Sequence, residues 1–156
     1  MEGLADLAQA LEASPFGAWA RGSRYAYPVA NVIHLLGLVT LVGAIGILDL
    51  RIMGLFRKLP VAELSRALTP IAIGGLILMV PSGFTMFAAD AGPLFRSDTF
   101  RWKMGLLALA LANAAAFRVL WPRLEGAPPL AARAMALISI GLWLWIGALG
   151  RLIAYN

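Results

Sequence analysis

His34 is the first of the few residues in this chain whose side chains could hold a cofactor or a metal ion. It is the single histidine among 156 residues, and the chain has no cysteine. A neutral imidazole can ligate haem iron or copper through one ring nitrogen, and it can also relay a proton. The same side chain can instead serve to hydrogen-bond a neighbouring helix. Three interpretations of His34 therefore stay open: a ligand, a proton relay and a packing residue.

Other polar and sulfur-bearing residues are expected to surround His34 at the same depth. Asn31 lies on the same helical face, at about 100° per residue, and an antiparallel bundle brings Met86, Trp102 and Lys103 toward the same end. We therefore predict a cofactor-binding pocket formed by His34, Asn31, Met86, Lys103 and Trp102, with His34 as the metal ligand. Met86, or Met79 seven residues earlier, could offer a thioether, although methionine on an apolar helix more often packs.

Asp49 and Arg118 form a second group at the opposite end of the same elements. Arg118 lies about 25 Å along its helix, which an antiparallel arrangement places at a depth similar to that of Asp49. Because an isolated charge in a membrane is costly, we predict that these two residues form a structural ion pair. Arg51 and Arg66 are alternative partners, and separate extension of each charge into the headgroups is the other possibility.

The elements that position these residues are four long apolar segments. The chain is 61% hydrophobic and 13% charged, with a mean hydropathy of +0.82. Such a composition is typical of a membrane protein, since a bilayer core about 30 Å thick requires about 20 apolar residues per helix. We predict one domain over 1–156 that is an all-α, integral membrane four-helix up-down-up-down bundle with a short N-terminal interfacial helix. The amphipathic interfacial segment covers 1–22, and the spans cover about 28–52, 61–89, 100–120 and 130–153.

Charge distribution gives the expected environment and orientation. The net charge is +5, but the basic residues are scattered through the loops, which argues against nucleic acid as a partner. Six basic residues lie on the side of the termini and seven on the other, so the termini lean slightly toward the non-cytoplasmic side. The six are Arg21, Arg24, Arg96, Arg101, Lys103 and Arg151, and the seven are Arg51, Arg57, Lys58, Arg66, Arg118, Arg123 and Arg133.

A series of short motifs between residues 27 and 118 resembles a bacterial family of small four-helix membrane proteins of unknown function. The motifs are Tyr27-Pro28, Asn31, His34, Gly43, Asp49-Leu50-Arg51, Gly54, Leu68-Thr69-Pro70, Gly75, Gly83-Phe84, Phe100-Arg101-Trp102-Lys103, Asn113 and Phe117. Their order is also distantly similar to HemJ-type protoporphyrinogen oxidases and CopD-type membrane domains. That resemblance implies haem or copper chemistry, with His34 as first-span ligand, Arg51 ending that span and Lys103 as the third-span lysine. The second histidine of those relatives is replaced by Phe117-Arg118, so haem would need a methionine, an open position or a ligand from another subunit.

Three functions are therefore expected from the sequence. The first is a protein or subunit that binds haem b or a related tetrapyrrole in membrane electron transfer. The alternatives are a cofactor-free accessory subunit of a larger membrane complex, and copper handling. No Ser-His-Asp set or Gly-rich phosphate loop is visible, so an enzyme acting alone is not expected, and an activity would be that of a HemJ-like oxidoreductase. The expected surroundings are the bacterial inner membrane, with the lipid bilayer and either other membrane subunits or a homo-oligomer as partners.

Overall fold

The computed structural model describes residues 2–122, 124 and 126–153, and this part of the chain forms helices and connecting turns without a strand. Arg123, one of the predicted loop cations, lies outside the described residues. The helices in chain order are α1 (Glu2–Ala13), α2 (Pro15–Gly22), α3 (Ala26–Met53), α4 (Val61–Ala89), α5 (Ala91–Arg96), α6 (Asp98–Leu120) and α7 (Leu130–Leu152).

Four of these helices, α3, α4, α6 and α7, are long and apolar enough to cross a membrane. Each has at least 23 residues, and at a rise of 1.5 Å per residue that length exceeds the hydrocarbon core of a bilayer. Much of their apolar surface faces outward, as lipid-facing helices require. The predicted all-α class with four spans and a short N-terminal helix is confirmed.

The tightest helix packing joins α3 to α4, where two glycines meet. A Cβ atom on Gly37 would lie 2.7 Å from the carbonyl oxygen of Gly75, and a Cβ on Gly75 would lie 2.7 Å from that of Gly37. Small residues let backbones approach closely in membranes, where van der Waals contact provides much of the association energy. The two helices are therefore joined along a backbone contact that no larger side chain would permit.

The remaining spans follow in the order α4, α3, α7, α6. Helix α7 packs against both α3 and α6, while α4 and α6 are scarcely in contact. The central cluster comprises Leu41, Met79, Ala110, Trp143 and Ile146. Ala110 is the one buried residue of α6. The bundle is thus closed along three seams and open along the fourth, between α4 and α6.

Helices α1, α2 and α5 form a layer at the end of the bundle nearest the N-terminus. Within the predicted interfacial segment 1–22, Ser14 separates α1 from α2 and caps α2 by accepting the backbone N–H of Gly17. The spans predicted at 61–89 and 100–120 leave 90–99 as a connecting loop, and this is wrong for Ala91–Arg96, which form α5. Proline is tolerated in the first turn of a helix, and the Glu12 carboxylate accepts the N–H of Gly92 there, at 2.7 Å.

Candidate functional site

His34 is half-buried at the contact between α3 and α4. Its Nδ1 lies 3.1 Å from the carbonyl oxygen of Met79 and 3.2 Å from Oγ of Ser82. Because a carbonyl oxygen accepts but cannot donate, the Nδ1 position carries the proton. The neutral ring then has its lone pair on Nε2, the nitrogen that would be free to ligate a metal.

The imidazole also fits against a glycine of α4. A Cβ on Gly83 would lie 3.0 Å from Cε1 of His34, so the helix surface at this point is shaped to the ring. Ser82 contributes a buried hydroxyl that donates to the carbonyl of Leu78 at 2.5 Å. These contacts satisfy one side of the imidazole and hold α3 on α4, which is the packing role that the sequence left open.

The other predicted cofactor-binding residues lie at the same end of the bundle and are partly buried or exposed. Lys103 is partly buried and close enough to His34 to act on it electrostatically, and Met86 is also partly buried. Asn31 and Trp102 lie on the exposed surface, Trp102 at 69% exposure. In the described part of the chain, no group of three His, Cys, Asp or Glu side chains could hold a metal ion. Cofactor binding by this set stays a prediction.

A cavity of about 290 Å³ lies at the other end of the bundle, among all four spans. We call it the inner cavity. Its wall is mainly apolar, and five polar side chains interrupt it: Asp49, Thr69, Asn113, Arg118 and Ser139. Its lining includes residues of α4 and α6, the two neighbouring spans that are scarcely in contact.

Asp49 is the most unusual of the five. The residue is 7% exposed, and its hydrogen-bonding neighbour Ser139 on α7 is 6% exposed. The second carboxyl oxygen, Oδ2, is buried and has no hydrogen-bond partner within the described residues. Buried polar atoms in proteins are nearly always paired, because leaving one unpaired costs about 1–3 kcal/mol. Asp49 therefore brings to the wall of the inner cavity a carboxyl group with one oxygen that no described residue hydrogen-bonds.

The predicted ion pair between Asp49 and Arg118 is not formed in the structure. Both side chains line the inner cavity, but Arg118 donates through Nη2 to Oγ1 of Thr69 on α4. Arg118 lies two residues from the end of α6 and reaches sideways, whereas Asp49 lies against Ser139 of α7. The alternative partner Arg51 donates to the carbonyls of Leu59 and Arg57 in the loop after α3.

A second cavity of about 660 Å³, the outer cavity, adjoins the inner one at the ends of α3, α4 and α6. The two share Leu48, Ile52, Thr69, Phe117 and Arg118. The outer cavity adds Ser65, Arg66 and Pro70 from α4, and it is the more polar of the two. We call the two adjoining cavities together the α4–α6 cleft.

One member of this site, Ser139, escaped sequence reasoning. Ser139 is a single hydroxyl in an apolar span, and the depth argument applied to Arg118 would also have placed it near Asp49. Asn113 donates through Nδ2 to the carbonyl of Met135 at 3.2 Å, which fastens α6 to α7 on the wall of the cleft. The gap between α4 and α6 has no local sequence signal, because it depends on which helices pack.

Comparison with known proteins gives one match. A family model described as "Family of unknown function (DUF6644)" matches residues 13–156. No curated protein and no solved structure matches the chain, and no similarity to HemJ-type oxidases or CopD-type domains is shown. The matched region includes His34 and every residue of the α4–α6 cleft.

Proposed function

This chain belongs to a family of unknown function, DUF6644, and from its own residues we propose that the protein binds an amphipathic molecule dissolved in the membrane. The binding site is the α4–α6 cleft. Asp49 is the buried polar group that fixes the ligand, and the apolar wall of the inner cavity takes the rest of the molecule. This combination of apolar lining and a few placed polar groups is typical of ligand sites.

One observation carries this proposal: Asp49 lines the inner cavity, and its buried Oδ2 has no hydrogen-bond partner within the described residues. A carboxyl group in such a place lowers stability, and an apolar side chain of similar volume would be the more stable choice. Ionisable residues inside membrane spans are functional candidates for this reason. A ligand hydroxyl or amine that donates to Oδ2 would supply the missing hydrogen bond.

The arrangement of the spans supports access from the bilayer. Helices α4 and α6 are scarcely in contact, and the hydrogen bond from Arg118 to Thr69 joins them at the shared wall of the two cavities. A molecule moving within the lipid can enter between the helices without crossing the headgroup region. The proposed function therefore needs no aqueous channel.

A photoactivatable long-chain alcohol tests this proposal in membranes that contain the protein. Its hydroxyl can donate to Asp49, and its chain matches the apolar wall. We expect labelling to concentrate on the cleft-lining residues Leu48 and Leu111, as mapped by mass spectrometry of peptides.

Two matched variants on α6 give the control. Ala114 lines the inner cavity and Ala112 does not, although both are exposed on the same helix. Ala114→Phe should fill the cleft and remove the concentrated labelling, while Ala112→Phe should leave it unchanged. Even labelling along the lipid-facing sides of all four spans would contradict the proposal.

A second candidate function is binding of haem b, or a related tetrapyrrole, through His34 in membrane electron transfer. The supporting observation is that the Nδ1 position donates to Met79, because ligating histidines usually donate their other N–H to such an acceptor. Purified protein would then show a Soret band that His34→Ala removes, and that His34→Gln removes without unfolding the bundle. Copper handling by His34 with Met79 or Met86 would instead give bound metal without that band.

The exposure of α6 favours an accessory role as a further possibility. With one buried residue, this helix offers a long apolar surface to lipid, to another membrane subunit or to a second copy of the chain. Native mass spectrometry from bilayer discs distinguishes these surroundings by the mass of the particle. The expected location is the inner membrane of a bacterium, with the termini on the non-cytoplasmic side.

A further inference from the structure

We propose that the molecule bound in the α4–α6 cleft is an anionic phospholipid with hydroxyl groups in its head. Arg66 and Arg118 bind its phosphate in the outer cavity, and a headgroup hydroxyl donates to Asp49. This inference rests on the proposed function and names the ligand class of that same site.

The charges of the outer cavity carry the first step. Arg66 and Arg118 both line it, and neither forms an ion pair with an acidic side chain in the described part of the chain. The two ion pairs that the structure describes, Arg21–Glu12 and Arg101–Asp98, lie at the opposite end of the bundle. Guanidinium groups present several N–H donors in a planar fork that matches phosphate oxygens. The outer cavity thus holds two positive groups suited to an anion.

The depths of these groups carry the second step. Arg66 lies five residues after the first residue of α4, and Arg118 lies two residues before the last residue of α6. Both are therefore within about 8 Å of a helix end, the level of lipid headgroups. The inner cavity continues from there toward the middle of the bundle along an apolar wall. A phospholipid bound in this way would have its headgroup at the membrane surface and its acyl chains toward the bilayer centre. This is the orientation that it already has in the bilayer.

The position of Asp49 carries the third step. Arg118 lines both cavities, so a phosphate at Arg118 lies beside the inner cavity that Asp49 also lines. A hydroxyl on the same headgroup can then donate to the unpaired Oδ2 of Asp49. A phospholipid whose headgroup has no hydroxyl would leave Oδ2 of Asp49 without a hydrogen bond. A long-chain ligand without a phosphate would leave Arg66 and Arg118 without an anion.

Neighbouring polar groups fit the same headgroup. The side chains of Ser65 and Thr69 line the outer cavity. Pro70 has no N–H, so the carbonyl of Arg66 lacks its usual partner four residues later in α4. These groups can accept from or donate to glycerol hydroxyls. The bond from Arg118 to Thr69 is the one that a phosphate would have to displace.

Bilayer discs of phosphatidylcholine with a minor share of phosphatidylglycerol test the inference, with retained lipid measured by native mass spectrometry. We expect the wild-type chain to enrich phosphatidylglycerol on the order of tenfold over its share of the bilayer, because two arginines line the outer cavity and phosphatidylglycerol is net anionic, whereas phosphatidylcholine is zwitterionic. The double variant Arg66→Gln, Arg118→Gln should lose this enrichment. Asp49→Asn should weaken it while leaving the preference for the anionic lipid.

Matched controls separate the cleft from general attraction to the membrane surface. Lys58 and Arg133 are exposed cations on the same side of the bundle, and neither lines the inner or the outer cavity. The double variant Lys58→Gln, Arg133→Gln removes the same charge and should keep the enrichment.

Several outcomes would overturn the inference. If the Lys58 and Arg133 variant loses the enrichment as fully as the cleft variant does, the lipid is not bound at the cleft. Displacement of phosphatidylglycerol by soluble glycerol phosphate would assign the arginines to a water-soluble phosphate. A second copy of the chain without retained lipid would assign the cleft to a protein partner. Labelling of the cleft by the long-chain alcohol, together with no lipid preference, would retain the proposed function and remove this ligand class.

Discussion

Asp49 and His34 are both polar side chains within apolar spans, and their surroundings differ at the level of single atoms. The imidazole of His34 has a carbonyl, a hydroxyl and a shaped glycine surface beside it. The carboxyl group of Asp49 has Ser139 as a hydrogen-bond partner, its Oδ2 has none among the described residues, and the residue lines the inner cavity. His34 therefore contributes to the stability of the α3–α4 contact, whereas half of the Asp49 carboxyl contributes nothing to the fold.

Replacing Asp49 should separate stability from binding. Asp49→Asn removes a carboxyl group that the protein leaves partly unpaired, and it keeps a group that can hydrogen-bond Ser139. We expect the free energy of unfolding in detergent, measured without added lipid, to rise by about 1 kcal/mol. Combining it with Arg118→Gln should give additive changes to within about 0.5 kcal/mol, because the two residues are not in contact. A large coupling energy would mean that the two side chains meet in solution.

Much at the residue scale could be predicted from the sequence, and the failures have identifiable causes. The depth argument correctly led to a polar group with Asp49 and Arg118 at one end, because helix rise and antiparallel order determine depth. It could not show that Arg118 turns toward Thr69, since direction around a helix axis depends on how the helices are rotated in packing. The same limit applies to Asn31, which shares a face with His34 yet is exposed.

At the scale of elements, the contact between α3 and α4 depends on two glycines. Gly75 has the backbone of α3 2.7 Å from its would-be Cβ, whereas its neighbour Gly74 has nothing within 4 Å. Gly75→Ala should therefore lower the free energy of unfolding by about 1–3 kcal/mol through overpacking. Gly74→Ala should be neutral or stabilising by up to about 1 kcal/mol, because alanine favours helix. Equal effects of the two changes, measured by denaturation in detergent, would contradict this close contact.

The carboxylate of Glu12 joins α1 to α5, and its charge should make this contact depend on pH. Glu12 accepts the N–H of Gly92 at 2.7 Å and pairs with Arg21 at 2.6 Å, and these contacts lower its pKa from the ordinary value of 4.5. A carboxyl group with a lowered pKa in the folded state contributes stability above its unfolded pKa. That contribution is lost as pH falls through the folded value, so acid should release the N-terminal layer first.

A pH titration of protease sensitivity checks this expectation. Cleavage within α1 and α2 should increase below about pH 4.5 in the wild-type chain while the four spans stay protected. Glu12→Gln should make the layer sensitive at neutral pH and remove most of the pH dependence. Asp6→Asn, on the exposed side of the same helix, serves as the control and should behave like the wild type. If acid exposes the spans and the layer together, Glu12 does not control the docking of α1.

The four spans themselves follow directly from composition, since runs of more than 20 apolar residues have few other stable solutions in a bilayer. Helix α5 was missed because its first turn is completed by Glu12, a residue 80 positions away in sequence. The open seam between α4 and α6 was missed for a similar reason. Local pattern predicts that a helix exists, and contacts between distant segments decide what it packs against.

For the whole molecule, the orientation in the membrane can be measured by labelling introduced cysteines, because the chain has no cysteine of its own. Single cysteines at Leu59 and Ala127, in the α3–α4 and α6–α7 connections, should react with an impermeant maleimide from the same side of sealed vesicles. Cysteines at Gly22 and Arg96 should react from the other side. Labelling of Leu59→Cys and Gly22→Cys from one side would remove the four-span topology. If the slight excess of basic residues governs insertion, the first pair faces the cytoplasm.

The sparse contact between α4 and α6 also determines the concentration scale on which ligand affinity has to be measured for this protein. A ligand that enters sideways from the bilayer competes with the surrounding lipid, so its occupancy depends on its mole fraction in the membrane and not on its concentration in water. A modest preference for the ligand over the surrounding lipid is then enough to fill the cleft, because the bilayer already holds the ligand in the orientation that binding requires. Adding bulk lipid should empty the site by dilution, even when the amounts of protein and ligand stay constant.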